Sequence, residues 1–224
     1  HGPGGLPIGT AGRAVCLVSG GFDSIAAAWM LYKRGLELEF VFCNVAGKAY
    51  ERSVLEVTKA LCDSWAHGTS ARIHVVDFTS ISQHLRYVIE PRWIQVILKR
   101  ELYRAATQIA AKVNAEALVT GECLAQVSSQ TMSNLRSIEA ATDLPVLRPL
   151  IGFDKTEILA ICRKIGTHDL SARIQEYCQL TEQKPATRSR PKDMPAIEEN
   201  LDSQILAEVI ANATGRVAVT CFAS

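Results

Sequence analysis

Six consecutive residues, Ser19-Gly20-Gly21-Phe22-Asp23-Ser24, have the makings of an anion cradle. Two glycines let the backbone come close to a bound anion, the hydroxyls of Ser19 and Ser24 offer donors, and a helix start just beyond adds its partial positive charge. The G-x-x-x-x-G-K-[ST] loop that serves γ-phosphoryl transfer is absent, and no lysine stands inside the cradle. Asp23 would repel a polyphosphate unless it holds Mg²⁺ or braces the loop. Both features point to a loop that binds pyrophosphate as a leaving group, and so to cleavage of ATP between its α and β phosphates. A tight glycine turn with a serine cap is the bland alternative. A second reactive candidate is Cys178, the cysteine of a polar stretch that runs on through Gln179, Thr181, Glu182 and Gln183. Lys184, Arg188, Arg190 and Lys192 follow closely. Those cations favour a thiolate or persulfide anion, and Glu176 works against it.

Chemistry of this kind needs a strand to end at the cradle and a helix to begin there. Ala14–Val18 is a short continuous apolar run, as expected of a strand buried on both faces, and residues 23–34 read as a helix ending at Gly35. Further strands are expected at Leu38–Cys43, Ile73–Val76, Ala117–Thr120 and Val146–Leu150. Helices are expected at 51–65, at 94–113, from the N-cap Asp154 with Glu157 at N3 to Gly166, and near 201–213. Strands alternating with helices imply βαβ units: an α/β fold with an open parallel sheet and helices on both faces. In such sheets ligands bind at the carboxyl edge, where the cradle falls. The chain divides into a glycine- and proline-rich lead-in linker (1–13), a catalytic domain (14–183), and a basic loop, C-terminal helix and tail (184–224).

The bulk numbers constrain partners. With 48% hydrophobic residues the 224-residue chain can bury a large core, and a formal charge of +1 leaves any nucleic-acid contact to a local patch or to another domain. The 184–192 stretch, with four cations and no anion, is such a patch or a solvated loop. Seven cysteines without C-x-x-C spacing suit a reducing cytosol. Cys16, Cys43, Cys62, Cys123 and Cys162 read as small core residues, and Cys221 lacks the loop of a sulfur carrier. His67 and His168 read as surface residues, and no histidine pair has metal-ligand spacing. No apolar run is long enough for a membrane span, so the expected location is cytoplasmic. The chain opens at His1 without methionine and is expected to be a piece of something longer.

The S-G-G-x-D-S pattern after an apolar strand is the signature of the PP-loop ATP pyrophosphatases. Val119–Thr131, Leu147-Arg148-Pro149-Leu150-Ile151, Glu176-Tyr177-Cys178 and Lys184-Pro185 then resemble the tRNA 4-thiouridine synthetases, also called thiamine-biosynthesis tRNA sulfurtransferases. The likeness runs from about residue 2 to 215, including the Gly2–Gly9 arm. It implies an adenine nucleotide α-hydrolase-like fold and ATP with Mg²⁺ as cofactors. It also implies nucleotide contacts at Leu17, Val18, Ser19, Gly20, Gly21, Ser24, Phe42, Cys43, Lys99, Gly121 and Gln130. Taken alone, Lys99 between basic neighbours Arg100 and Arg104 would read as a solvated helix face, and Gln130 as an ordinary polar helix residue.

The resemblance further implies a reaction. Uridine O4 of tRNA, at position 8, is adenylated, and persulfide sulfur replaces the oxygen to give 4-thiouridine, with Cys178 and Asp23 as catalytic residues. The implied partners are tRNA, met mainly through a THUMP region absent from this chain, a cysteine desulfurase and a rhodanese-type persulfide carrier. A homodimer is left open, as is a part in thiamine thiazole synthesis. Two other readings stand beside it: adenylation of a small molecule for amidation, which does not need Cys178, and a non-catalytic ATP-binding module.

Overall fold

A computed structural model of the chain describes residues 4–174 and 184–218. Cys178, with Glu176 and the stretch to Gln183, lies outside the described residues, as does Cys221. Strand β1 (Arg13–Leu17) leads through the cradle into α1 (Phe22–Tyr32). Then come β2 (Glu37–Asn44), α2 (Lys48–Trp65), β3 (Arg72–Asp77), α3 (Thr79–Val88), α4 (Ile94–Val113) and β4 (Ala117–Val119). Helix α5 (Met132–Glu139) precedes β5 (Val146–Leu147), α6 (Lys155–Ile165) and α7 (His168–Ala172). Helices α8 (Met194–Ile197) and α9 (Ser203–Ala211) lead to β6 (Thr214–Ala218).

The sheet order is β5-β4-β1-β2-β3-β6. The first five strands are parallel, as expected; β6 is an antiparallel addition on the β3 edge. Period-two alternation assigns the strand side chains to two cores. Ala14, Cys16, Phe40, Phe42, Ile73 and Val119 pack with α1, α2 and α6 on one face. Val15, Val41, Val76 and Leu118 pack with α3, α4, α5 and α9 on the other. β1 lies between β2 and β4, so successive crossovers leave it in opposite directions. That switch point opens a crevice at the carboxyl ends of β1 and β4, which positions the site.

Helix α6 has the expected caps: Asp154 and Glu157 form a reciprocal capping box and Gly166 closes the helix. Two expectations need correction. The fifth strand ends at Leu147 rather than Leu150, because Pro149 has no N–H for the ladder and the chain turns there, Ile151 N–H donating to Arg148 O at 3.2 Å. The lead-in arm is not a free linker: Leu6 N–H donates to Lys33 O at 3.0 Å and Gly9 N–H to Gly35 O at 2.8 Å. The segment from 184, expected as a basic loop, helix and tail, packs on the catalytic domain. Met194 is fully buried, Leu206 and Ile210 join the second core, and Glu198 holds Arg100 and Arg104 on α4. No helix among the described residues is long and apolar enough to cross a membrane.

Candidate active site

The cradle hangs from β1 as a self-braced loop. Ser24 Oγ donates to Gly21 O at 3.0 Å and accepts from Ser19 N at 3.3 Å. Its hydroxyl therefore ties the loop together and is not the free donor that residue type alone suggests. Tyr50 on α2 donates to Ser19 O at 3.0 Å. Gly20 has φ +75°, a backbone conformation that favours glycine, and a Cβ there would also have to displace the Ile174 Cδ1 methyl, 2.5 Å away. The N-terminus of α1 carries no side-chain cap, which leaves first-turn amides facing the crevice without a side-chain acceptor.

Gly121 follows β4 and presses on this loop from the other side of the switch point. A Cβ on it would sit 2.6 Å from both Asp23 O and Ser24 N, so only glycine lets the two loops touch. Behind them lies a cavity of about 540 Å³. Its lining combines apolar side chains (Leu17, Phe42, Val45, Leu98 and Leu102) with polar ones (Ser19, Asp23, Lys99 and Lys155). Of the residues expected in a nucleotide site, Leu17, Val18, Ser19, Asp23, Ser24, Phe42, Cys43, Lys99, Gly121 and Gln130 all line it. Gly20 and Gly21 shape the loop without forming part of that wall.

Lys99 is no solvated lysine. Its side chain is 24% exposed and its Nζ lies 3.8 Å from Glu122 Oε1. The flanking Arg100 is buried in an ion pair with Glu198, so adjacent cations on α4 face opposite environments. Gln130 sits in a short 3-10 turn (Ser128–Gln130), buried, with its Oε1 unpaired.

Sequence reasoning missed two groups. Lys155 Nζ reaches Asp23 Oδ1 at 2.8 Å and lies 5.4 Å from the centre of the Phe22 ring, which answers the puzzle of Asp23: it is braced by a cation. The available signal was a lysine in the first turn of α6, where the helix dipole disfavours positive charge. The second group is Glu122, one residue past Gly121 at the strand's carboxyl edge. Its Oε2 accepts from Tyr103 Oη at 2.6 Å, Arg148 Nε at 3.0 Å and Thr120 Oγ1 at 3.2 Å. Its buried Oε1 has no hydrogen-bond partner. Burial alone would push Glu122 up, but Lys99, the Tyr103 hydroxyl and Arg148 outweigh it and hold the carboxyl below its ordinary range. Burial, then the Glu122 charge, keeps Tyr103 a phenol.

The nearby thiols are poor nucleophiles. Burial pushes Cys123 and Cys162 each up to about 11 and raises Cys43 as well. The core reading of Cys16, Cys62, Cys123 and Cys162 holds, with Cys43 half-buried on the cavity wall. His168 is not a plain surface residue: its ring packs on Phe22 at 5.4 Å. Among the described residues no group of three or more His, Cys, Asp or Glu could hold a metal ion.

Residues 9–203 match the family model described as Thiamine biosynthesis protein (ThiI). The tRNA sulfurtransferase of Pyrobaculum aerophilum is 42% identical over 213 residues, 95% of this chain and 44% of that protein. That of Vibrio vulnificus is 40% identical over 212 residues, again 95% and 44%. The chain thus spans less than half the length of the curated relatives it matches. Among solved structures, a 4-thiouridine synthetase–RNA complex with bound ATP superposes with a TM-score of 0.87 at 35% identity, covering 94% of this chain and 56% of that one. A U34-tRNA thiolase from Methanococcus maripaludis, at 15% identity and a TM-score of 0.52, shares the fold.

Proposed function

The chain belongs to the thiamine biosynthesis protein (ThiI) family, and from that premise we propose that it is the ATP-cleaving module of a tRNA 4-thiouridine synthetase. The observation that carries this reading is the contact between Gly121 and the Asp23–Ser24 backbone. It joins the β1 cradle and the β4 loop around one cavity lined by both apolar side chains and lysines. ATP fits that lining. The apolar side chains suit a purine and the buried unpaired Gln130 Oε1 suits an amino donor. The uncapped α1 amides, Lys99 and Lys155 suit phosphates.

Uridine O4 attacks the α-phosphorus, the bond to the bridging β-phosphate oxygen breaks, and pyrophosphate leaves. Negative charge grows on that pyrophosphate. Lys155, aimed by Asp23 and Phe22, and the α1 amides are fixed in advance to meet it, the kind of preorganised electrostatics that dominates such transfers. Asp23 is the accessible carboxylate of the cavity and would hold Mg²⁺ beside the phosphates, which suits an ion that keeps most of its water and phosphate ligands. Bound there, the ion would supply further neutralisation. A sulfur nucleophile then adds at C4 and AMP departs with O4. Cys178, outside the described residues, enters this second half through the family motif: once the outer persulfide sulfur is bonded to C4, the Cys178 thiolate attacks the inner sulfur, the S–S bond breaks to leave the thiocarbonyl, and the disulfide formed between Cys178 and the donor is reduced by an external thiol.

The test is pyrophosphate release from ATP with unmodified tRNA. Asp23→Asn and Lys155→Met should each lower it by roughly a hundredfold or more in folded protein. Cys178→Ser should keep pyrophosphate release and abolish 4-thiouridine. Unchanged thiolation in that variant would refute the sulfur chemistry, and tRNA-independent release would favour amidation of a small molecule.

A further inference from the structure

The mouth of the cavity is apolar where solvent-facing loops are ordinarily polar. Among the described residues six large hydrophobic side chains are exposed; three of them, Leu124, Val127 and Met132, belong to the segment whose residues 126–130 line the cavity, and a fourth, Ile151, belongs to a segment bonded to it. The segments are joined there: Leu124 N–H donates to Ile151 O at 3.0 Å, and the Val127–Gln130 turn puts Val127 on the cavity wall itself. Scattered exposed hydrophobics are ordinary, but a concentration at the entrance of a site marks a contact.

Cations are interleaved with these side chains. Arg136 stands four residues after Met132 on the exposed face of α5, close enough to be its neighbour. Arg188 is brought alongside because Thr131 Oγ1 and Ser133 Oγ both donate to Thr187 O, at 2.7 and 3.4 Å. Ser189 Oγ reaches Ser133 O at 3.4 Å and Asn134 Nδ2 reaches Ala186 O at 2.8 Å, so the basic stretch is stitched to the lip. Neither Arg136 nor Arg188 has an anionic partner among the described residues. Met and Arg are common in protein interfaces too, so place rather than composition selects the occupant: residues 126–130 of this lip line the cavity into which the reacting base must reach. Such a lip matches nucleotides lifted out of a stack, which present flat faces and phosphates by turns.

We propose that the Leu124–Met132 lip, with Arg136 and Arg188, grips the unpaired segment of RNA that delivers the reacting base to the cavity. The inference rests on the tRNA reading given above and adds how the base arrives. A base in a folded RNA must leave its stack before its oxygen can reach a nucleotide at the bottom of a pocket. Apolar side chains at the mouth take over part of the lost stacking, and the guanidinium groups hold the flanking phosphates.

The test uses the full chain with an unmodified tRNA transcript. Met132→Glu combined with Leu124→Glu changes exposed side chains that do not line the cavity and should leave ATP affinity and thermal midpoint unchanged. Affinity for tRNA and tRNA-dependent pyrophosphate release should fall by about tenfold, the worth of one stacked base. Met132→Phe, which keeps a stacking surface, should bind as well as the parent or better. Arg188→Ala should reduce the salt dependence of tRNA binding by about one phosphate contact, and Met132→Ala should not. Parent-like binding and turnover in the double variant overturn the proposal. So does a change confined to self-association, which would assign the lip to a protein contact. If the parent itself releases no tRNA-dependent pyrophosphate, the thiolation reading falls, a result separate from failure of the lip.

Discussion

Helix α4 carries two buried carboxylate networks, back to back. On one side Lys99 and Tyr103 reach Glu122, whose Oε2 takes three hydrogen bonds while its Oε1 takes none. On the other side Arg100 and Arg104 grip Glu198 in four contacts, with 2.6 Å from Arg100 Nε to Oε1 and 2.6 Å from Arg104 Nη2 to Oε2. Both carboxyls are held below their usual range against the penalty of burial. Only one is saturated. A buried anion with every lone pair engaged does the work of glue, and Glu198 fastens the α8–α9 segment to the rest of the domain. A buried anion with one oxygen unbonded beside a cavity lysine leaves its field available to that lysine. Burial and charge therefore do not separate site from scaffold here, whereas the state of each oxygen does.

The contrast breaks most sharply at Glu198. Replacing it with alanine strands Arg100 in the core and should cost about 3–5 kcal/mol, enough to lower the thermal midpoint by roughly 10 °C in a domain of this size. ATP affinity measured below that midpoint should stay at the parental value. A variant as stable as the parent would show that the cluster is not glue.

Glu122→Gln should do the reverse. Tyr103 can still donate to an amide oxygen and Arg148 retains Glu139 at 2.7 Å, so the loss of stability should be small. ATP affinity should fall by about tenfold, because Lys99 loses the charge that orients it. In a Lys99→Met background the same substitution should change ATP affinity little, and an undiminished effect there would separate Glu122 from Lys99.

Acid titration sharpens the comparison further. A carboxyl whose folded value is depressed adds stability above the unfolded carboxylate value, and that stability is lost as pH falls through the folded value. Glu122 and Glu198 both act in this direction. Glu101, pushed up chiefly by burial, runs the other way: its contribution is present at low pH and fades as pH rises through its raised value. Urea midpoints should therefore fall below about pH 4, with the steepest part of the decline removed in Glu198→Gln. An unchanged acid limb in that variant would move the dependence elsewhere.

The comparison also marks what could be read before folding. Ser19–Ser24 was legible because strand, glycines and helix start are contiguous, and Gly121 because it ends a strand. The α6 caps were legible because Asp154, Glu157 and Gly166 act within one helix. Lys155 and Glu122 were not singled out, since their partners Asp23 and Lys99 stand 132 and 23 residues away and no local pattern ties a cation to a carboxylate across a sheet. Helices α3 and α5 escaped because short amphipathic segments take their stability from the core they cover, not from their own sequence. For the same reason Arg100 read as surface. A charged residue between Lys99 and Arg104 gives no sign that Glu198, 98 residues on, will bury it.

The smallest effect probes the saturated oxygen of the site carboxylate. Tyr103→Phe removes the 2.6 Å donor to Glu122 Oε2 but leaves Arg148 and Thr120 in place, so the anion remains compensated. The cost should be about 1 kcal/mol in stability, the usual worth of one buried hydrogen bond, with a change of a few-fold at most in ATP affinity. Arg148 Nη2, which lies 3.3 Å from the Tyr103 oxygen, keeps Glu139 through its other nitrogen. If Tyr103→Phe weakened ATP binding as much as Glu122→Gln does, the phenol would be acting on the nucleotide directly. The division between an engaged Oε2 and an available Oε1 would then fail, because both ends of the carboxylate would belong to the site.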